Sequence, residues 1–340
     1  MKFGVKWMAF NLAAVVMSAH AVTIDKIVVF GDSLSDNGNI YSLTTSAHKT
    51  FPLIPVIPND RVYFKGRFSN GPNWIDDLGQ MLNVPVADYA YGGSWAESVF
   101  DSKISVPFNI GMQVDYYLVG AALDFHKAKH LYVIWTGGND YIKGREDSDY
   151  ATTNTIENIK KQMDWLIYYG AKQILLINVP DLGVVPEVQE KGATFASVVS
   201  HMSELHNAKM DVLLAKEIAD HPDVKIMLAD SRASFVDIIT NHDKYNIKNI
   251  TDACYQGTYW FKKPLDVRVA EAASQVNVDL DNPSLQTAYL TGLAAENGDQ
   301  PCANPDEYLF WDRIHPTRVA HQIIARLANE TLQANNIHGQ

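Results

Sequence analysis

The sequence predicts an α/β protein: a parallel sheet covered by helices on both faces, in three layers. Three observations carry this. Five short apolar runs read as strands. Five longer stretches with helical spacing alternate with them. The chain, at 340 residues, is also long enough to bury a sizeable core.

Taken in order, the first strand is expected over 27–30, four apolar residues that Gly31 and Asp32 interrupt. Ser33 then falls where a strand is expected to turn into a helix, which exposes its hydroxyl. A helix over 73–82 and a strand over 84–89 follow, and that strand runs into Gly92-Gly93-Ser94. A helix over 110–123 leads to a strand over 131–136, which ends on Gly137-Gly138-Asn139-Asp140. The helix expected over 153–169 carries Ile156, Ile159, Met163, Leu166 and Ile167 at helical spacing, an apolar stripe for the sheet. A strand over 173–179, a helix over 194–220 and a strand over 224–229 complete the alternation. Residues 241–311 are rich in Asn, Asp, Tyr and Pro and show little periodicity. They read as an insertion within one domain, ahead of a last helix over 317–333.

The N-terminus has the pattern of an export signal. Lys2 and Lys6 precede an apolar run over 7–17, and Ser18-Ala19-His20-Ala21 offers a small-residue cleavage site. A signal peptide over 1–21 and a single domain over 22–340 are therefore expected, with a secreted or periplasmic location. The apolar run is too short to span a membrane, which takes about 20 residues. Export puts Cys254 and Cys302, the only cysteines, in an oxidising compartment. There they are expected to pair and close the insertion at about 254–302. The net charge of −11, with no basic cluster, argues against nucleic acid as a partner and against electrostatic docking on anionic lipid. No CxxC or HExxH spacing occurs, so neither a metal nor a cofactor is expected.

Ligands of an open parallel sheet sit beyond the carboxyl ends of its strands. The clusters at Ser33, Gly93 and Asn139 fall there, and Asp312 with His315 can fold back onto the same rim. Each has a plain structural alternative: Ser33 or Ser35 as a helix cap, Asn139 and Gly93 as turn residues, Asp312 and His315 as a helix start. Together they supply a hydroxyl nucleophile, a base and a carboxylate to orient it, and donors for a developing oxyanion.

At this point the chain resembles the GDSL-type lipases of the SGNH hydrolase superfamily. The resemblance rests on four ordered blocks, FGDSLSDNGN, DYAYGGS, GGND and DRIHPT. It implies a three-layer α/β/α fold with a mostly parallel, flavodoxin-like five-stranded sheet. It further implies Ser33, Asp312 and His315 as a catalytic triad, and Ser33, Gly93 and Asn139 as the oxyanion hole. The α/β-hydrolase fold shares the order Ser…Asp…His but expects GxSxG, which this chain lacks around Ser33. One position departs from the family pattern: Asp88 stands where an asparagine is common, and an ionised carboxylate accepts hydrogen bonds without donating them.

Within the family the chain is most similar to secreted bacterial lysophospholipases A and glycerophospholipid–cholesterol acyltransferases. That implies a serine ester hydrolase for lysophospholipid or phospholipid, with a sterol as a further acyl acceptor. A short-chain carboxylesterase or carbohydrate esterase is the alternative, and a catalytically silent lipid-binding protein a third reading. Apolar residues over 51–58, with Trp95, Phe100, Tyr259, Trp260 and Phe261, are candidates for transient contact with a membrane surface or for packing the insertion.

Overall fold

The computed structural model describes residues 21–50, 56–97, 109–143, 145, 147–257 and 300–340. The expected signal segment, Phe100, Tyr259, Trp260, Phe261 and the interior of the expected insertion lie outside them.

The chain opens with β1 (Val22–Thr23) and β2 (Lys26–Gly31), then α1 (Asn39–Thr50), α2 (Trp74–Leu82) and β3 (Val86–Asp88). Next come α3 (Ile110–Gly120), β4 (His130–Trp135), the short α4 (Gly138–Ile142), α5 (Ser148–Tyr168) and β5 (Gln173–Ile177). The second half holds α6 (Pro186–Glu190), α7 (Ala193–Asp220), β6 (Lys225–Ala229) and α8 (Ser231–Thr240). It closes with β7 (Asn249–Ala253), β8 (Tyr308–Phe310), α9 (Arg318–Ala334) and β9 (Ile337–His338).

Five strands form one sheet in the order β3-β2-β4-β5-β6, every pairing parallel. This is the flavodoxin-like order, and its switch point lies between β2 and β4. The period of two along each strand explains why both faces are dry. Ile27 and Val29 join Leu131, Val133, Leu175 and Ile177 in a core shared with α2 and α9. Val28 and Phe30 join Tyr132, Ile134, Ile174 and Leu176 in a second core beneath α3 and α5. No described helix is long and apolar enough to cross a membrane.

One boundary differs from expectation because of a cap. The third expected helix begins at Ser148, five residues early, because Asp147 caps it by accepting from Tyr150 N–H. The Ser- and Thr-rich α1 and the short α8 were not among the expected helices. Residues 241–311 are not wholly irregular: β7 and β8 pair in parallel at the two ends of the segment. Cys254 and Cys302 form a disulfide between those ends.

Candidate active site

β2 ends on Gly31 because the chain must pass close to β4: a Cβ there would lie 2.3 Å from the Trp135 carbonyl. Gln113 of α3 locks the same residue, its Oε1 accepting from Gly31 N–H at 2.8 Å and its Nε2 donating to Gly31 O at 2.7 Å. A single turn follows, in which Ser35 and Asp36 N–H donate back to Asp32 O. Ser33 sits in this turn, and α1 begins six residues later. The expected strand-to-helix junction is thus a strand-to-turn junction. Neither serine caps a helix. Asp36 does, its carboxylate accepting from the N–H groups of Gly38, Asn39 and Ile40.

The same Asp36 accepts from Gly92 N–H at 2.8 Å, tying the nucleophile turn to the loop after β3. Asp88 adds a second tie by accepting from Asn37 and Ala90 N–H at 2.7 and 2.8 Å. Its acceptor-only character therefore suits the loop. Gly93 has φ of +79°, a left-handed conformation that favours glycine. Ser94 Oγ accepts from Gln113 Nε2 at 2.8 Å. Asn139, in α4, donates one Nδ2 hydrogen to Ser94 O at 2.9 Å. Gly137, not Asn139, takes the left-handed turn position there, at φ +114°. Asp140 accepts from Ala96 and Glu97 N–H and so anchors the far side of the Gly93 loop. Among the described residues, the N–H groups of Ser33 and Gly93 make no hydrogen bond.

Asp312 and His315 follow β8 and reach the same rim. Ser33 Oγ and His315 Nε2 are 2.7 Å apart. His315 Nδ1 lies 2.7 Å from Asp312 Oδ2. Asp312 is fully buried and accepts further from Tyr63 O–H at 2.7 Å and from Ile314 and His315 N–H, each at 2.8 Å. A carboxylate surrounded by donors fixes the Nδ1–H tautomer, which leaves Nε2 as the acceptor of the serine proton. The Phe68 ring lies 4.9 Å from the imidazole and covers it.

Burial raises several carboxyls around the turn above their usual range. Asp32 and Asp36 are pushed to about 6 and Asp140 to about 7. Asp88 is raised by burial first and then by the charge of Asp36.

Of the residues read from the sequence, Ser33, Asp312 and His315 form one hydrogen-bonded chain, and Gly93 and Asn139 lie on the adjoining loops. Trp95 is half-buried, with the Arg145 guanidinium 5.4 Å from its ring. Ile57 and Pro58 are buried, so this end of the apolar 51–58 stretch packs inward. Tyr63, Phe68 and Gln113 were not foreseen. Gln113 had a signal, since it is the polar residue on the buried face formed by Ile110, Val114 and Tyr117. Tyr63 had none, lying 249 positions from its partner.

Among the described residues one group has metal-ligand character: Asp164, Glu217 and His221, with ligand atoms within 4.8 Å of one another. The Lys160 ammonium already lies 2.7 Å from Asp164 and 3.2 Å from Glu217. An ammonium of the chain's own therefore already pairs with both carboxylates of that group, which sits at the α5–α7 seam.

A hydroxyl, an imidazole and a buried carboxylate in line, at the carboxyl edge of a flavodoxin-like sheet, are the arrangement of a serine ester hydrolase. Residues 27–328 match the GDSL-like Lipase/Acylhydrolase family, and the chain belongs to that family of SGNH hydrolases. It is similar to the phosphatidylcholine-sterol acyltransferase of Aeromonas hydrophila, 29% identical over 95% of this chain and 96% of that protein. It also resembles the thermolabile hemolysin of Vibrio parahaemolyticus, at 26% identity over 92% of this chain and 65% of that one. The secreted effector protein SseJ of Salmonella typhimurium is 25% identical, over 93% of this chain and 67% of its own length. The family makes the chain an ester hydrolase or acyltransferase.

Proposed function

We propose that this chain is an exported serine hydrolase of lipid esters, a lysophospholipase or phospholipase A, whose acyl-enzyme also passes its acyl group to a sterol. The observation that carries the reading is the unbroken hydrogen-bond chain Ser33–His315–Asp312. In this mechanism His315 Nε2 takes the Ser33 proton as Oγ attacks the ester carbonyl carbon. Asp312 holds Nδ1–H and stabilises the imidazolium. The tetrahedral oxyanion is held by Ser33 N–H, Gly93 N–H and the second Nδ2 hydrogen of Asn139. The C–O bond to the leaving alcohol then breaks, and His315 returns its proton to that alcohol. Water or an alcohol repeats the sequence on the acyl-enzyme and frees Ser33.

The name of the Aeromonas relative supports a phospholipid donor and a sterol acceptor. Export rests on the signal pattern over 1–21 and agrees with the relative named as secreted. Transient contact with a lipid surface is supported by α3 and the turn after it, where Val119 is 79% and Phe125 90% exposed, beside Tyr116 and Leu123. The test is fatty-acid release from lysophosphatidylcholine by the oxidised mature protein, with cholesterol in a parallel tube. Release by wild type and not by Ser33→Ala is expected, with cholesteryl ester in the second tube. Release that survives Ser33→Ala sinks the triad, and cleavage of p-nitrophenyl acetate alone moves the reading to a small-ester or carbohydrate esterase.

A further inference from the structure

Behind the nucleophile turn lies a narrow cavity of about 50 Å³ that includes Ser33 and Asn139 in its lining. Its polar lining is confined to those two side chains and Asp32, all from the motifs at the strand ends. Everything else on its wall is apolar or glycine. Trp135, Phe310 and Ile324 belong to the main core and are backed by it. Leu182 and Phe235 belong to the same core but lie at its edge. They sit on the short turn after β5 and on the surface helix α8, and keep 9% and 7% of their surface in solvent.

We propose that this cavity is the acyl subsite and that Leu182 and Phe235 set the length of acyl chain it accepts. The proposal rests on the Ser33–His315–Asp312 reading above. First, a carbonyl carbon attacked by Ser33, with its oxygen toward Asn139, stands at the cavity's polar end. One of its two substituents must then point inward.

Second, that substituent is the acyl chain. The alcohol side of a phospholipid or sugar ester carries polar groups, and an apolar wall leaves them unpaired. Each methylene buried there is worth about a factor of four in transition-state binding.

Third, the size discriminates. One water-sized group takes about 10–15 Å³ of such space, so the cavity holds a run of about four heavy atoms. A longer chain meets the wall. Trp135 and Phe310 are almost wholly enclosed and cannot yield without repacking the sheet, whereas Leu182 and Phe235 already keep part of their surface in solvent. Leu34 and Ile314 on the same wall are half-buried but adjoin Ser33 and His315 at the polar end. A chain running away from Ser33 therefore meets Leu182 and Phe235, and these two side chains discriminate between a lipid and a short ester at the same catalytic site.

The test uses the oxidised mature protein and p-nitrophenyl acetate, butyrate, hexanoate and octanoate, read as ratios of kcat/KM. Phe235→Ala is expected to raise the octanoate-to-butyrate ratio by ten-fold or more over wild type. Ile142→Phe, which fills the cavity, is expected to lower the butyrate-to-acetate ratio by a similar factor. Leu182→Ala repeats the first measurement should Phe235→Ala fail to fold, folding being checked by circular dichroism. Folded variants whose ratios stay within two-fold of wild type overturn the proposal while leaving the triad standing. Cleavage of all four esters by Ser33→Ala overturns the triad reading and this one with it.

Discussion

The half of the rim that carries Ser33, Gly93 and Asn139 is stitched by carboxylates, whereas the half that carries Asp312 and His315 is packed by aromatic rings. In the first half, Asp36, Asp88 and Asp140 each accept backbone N–H groups from loops after different strands. In the second, Tyr63, Tyr255 and Trp311 make a cluster, with ring centroids 5.8, 5.9 and 6.1 Å apart. Tyr255 N–H donates to Trp311 O and Cys254 N–H to Phe310 O, so the disulfide strand pairs with the segment leading to Asp312. Tyr63 is the link, since it packs edge-on against both other rings and donates to Asp312. The two halves therefore answer to different conditions. Charge, and therefore pH, governs the nucleophile half. Packing and redox state govern the histidine half.

The largest expected effect comes from breaking the histidine half. The disulfide joins residues 48 positions apart, a loop for which chain-entropy arguments give about 4 kcal/mol. Reduction is expected to lower Tm by on the order of 10 °C. Calorimetry with and without reductant, with thiol titration to show two free cysteines, checks this. An unchanged Tm in a fully reduced sample would mean that the aromatic cluster alone holds Asp312 in place.

Breaking the nucleophile half is expected to cost rate and not fold. Asn139→Ala removes a donor to the oxyanion, typically worth about 2.7–4 kcal/mol of barrier, so kcat falls by about 10²–10³. KM should hardly move, because the donor matters only once the oxyanion develops. Steady-state kinetics on a soluble ester separates the two. A loss confined to KM would show Asn139 to be a substrate-binding residue, and the comparison of halves would need redrawing.

The two halves were also unequally legible in the sequence. The sheet was, because parallel strands buried on both faces are short continuous apolar runs, and residues 27–30 and 131–136 are of that kind. The nucleophile half announced itself through glycines and short polar residues placed just after those runs. Its supports did not, because Asp36 and Asp140 look like ordinary turn residues until their N–H partners are seen. On the other side, Asp312 and His315 were readable as a local pair three residues apart. Tyr63 was not, since its role exists only after the chain returns from 312 to the loop before α2. β7 was hidden for a similar reason: Asn249–Ala253 is largely exposed and polar, so it carries no strand pattern without β8 beside it.

The smallest and most selective break concerns Asp88. Its carboxyl and that of Asp36 are both raised by burial first, and the Asp36 charge raises Asp88 further. The nearby Arg67 guanidinium feels both but is committed to a two-pronged pair with Asp76 at 2.8 Å. The sign follows from linkage. A carboxyl whose folded value lies above its unfolded one, about 3.9, stabilises the fold fully below that pH and loses the contribution as pH rises through the folded value. For Asp36 at about 6 and Asp140 at about 7, stability from these groups therefore falls between roughly pH 4 and 7. Asp88→Asn removes a carboxyl that the fold raises well above its unfolded value, and with it that group's own share of the pH dependence, so the slope flattens. Melts at pH 5 and pH 8 are expected to differ by a few degrees less in the variant than in wild type, with the variant gaining most at pH 8. An amide also leaves one of the N–H groups of Asn37 and Ala90 facing a donor, which costs the same at both pH values and so cancels in the difference. Equal pH slopes in the two proteins would mean that burial does not raise the Asp88 carboxyl in the fold, and that the nucleophile half is no more sensitive to pH than the aromatic one.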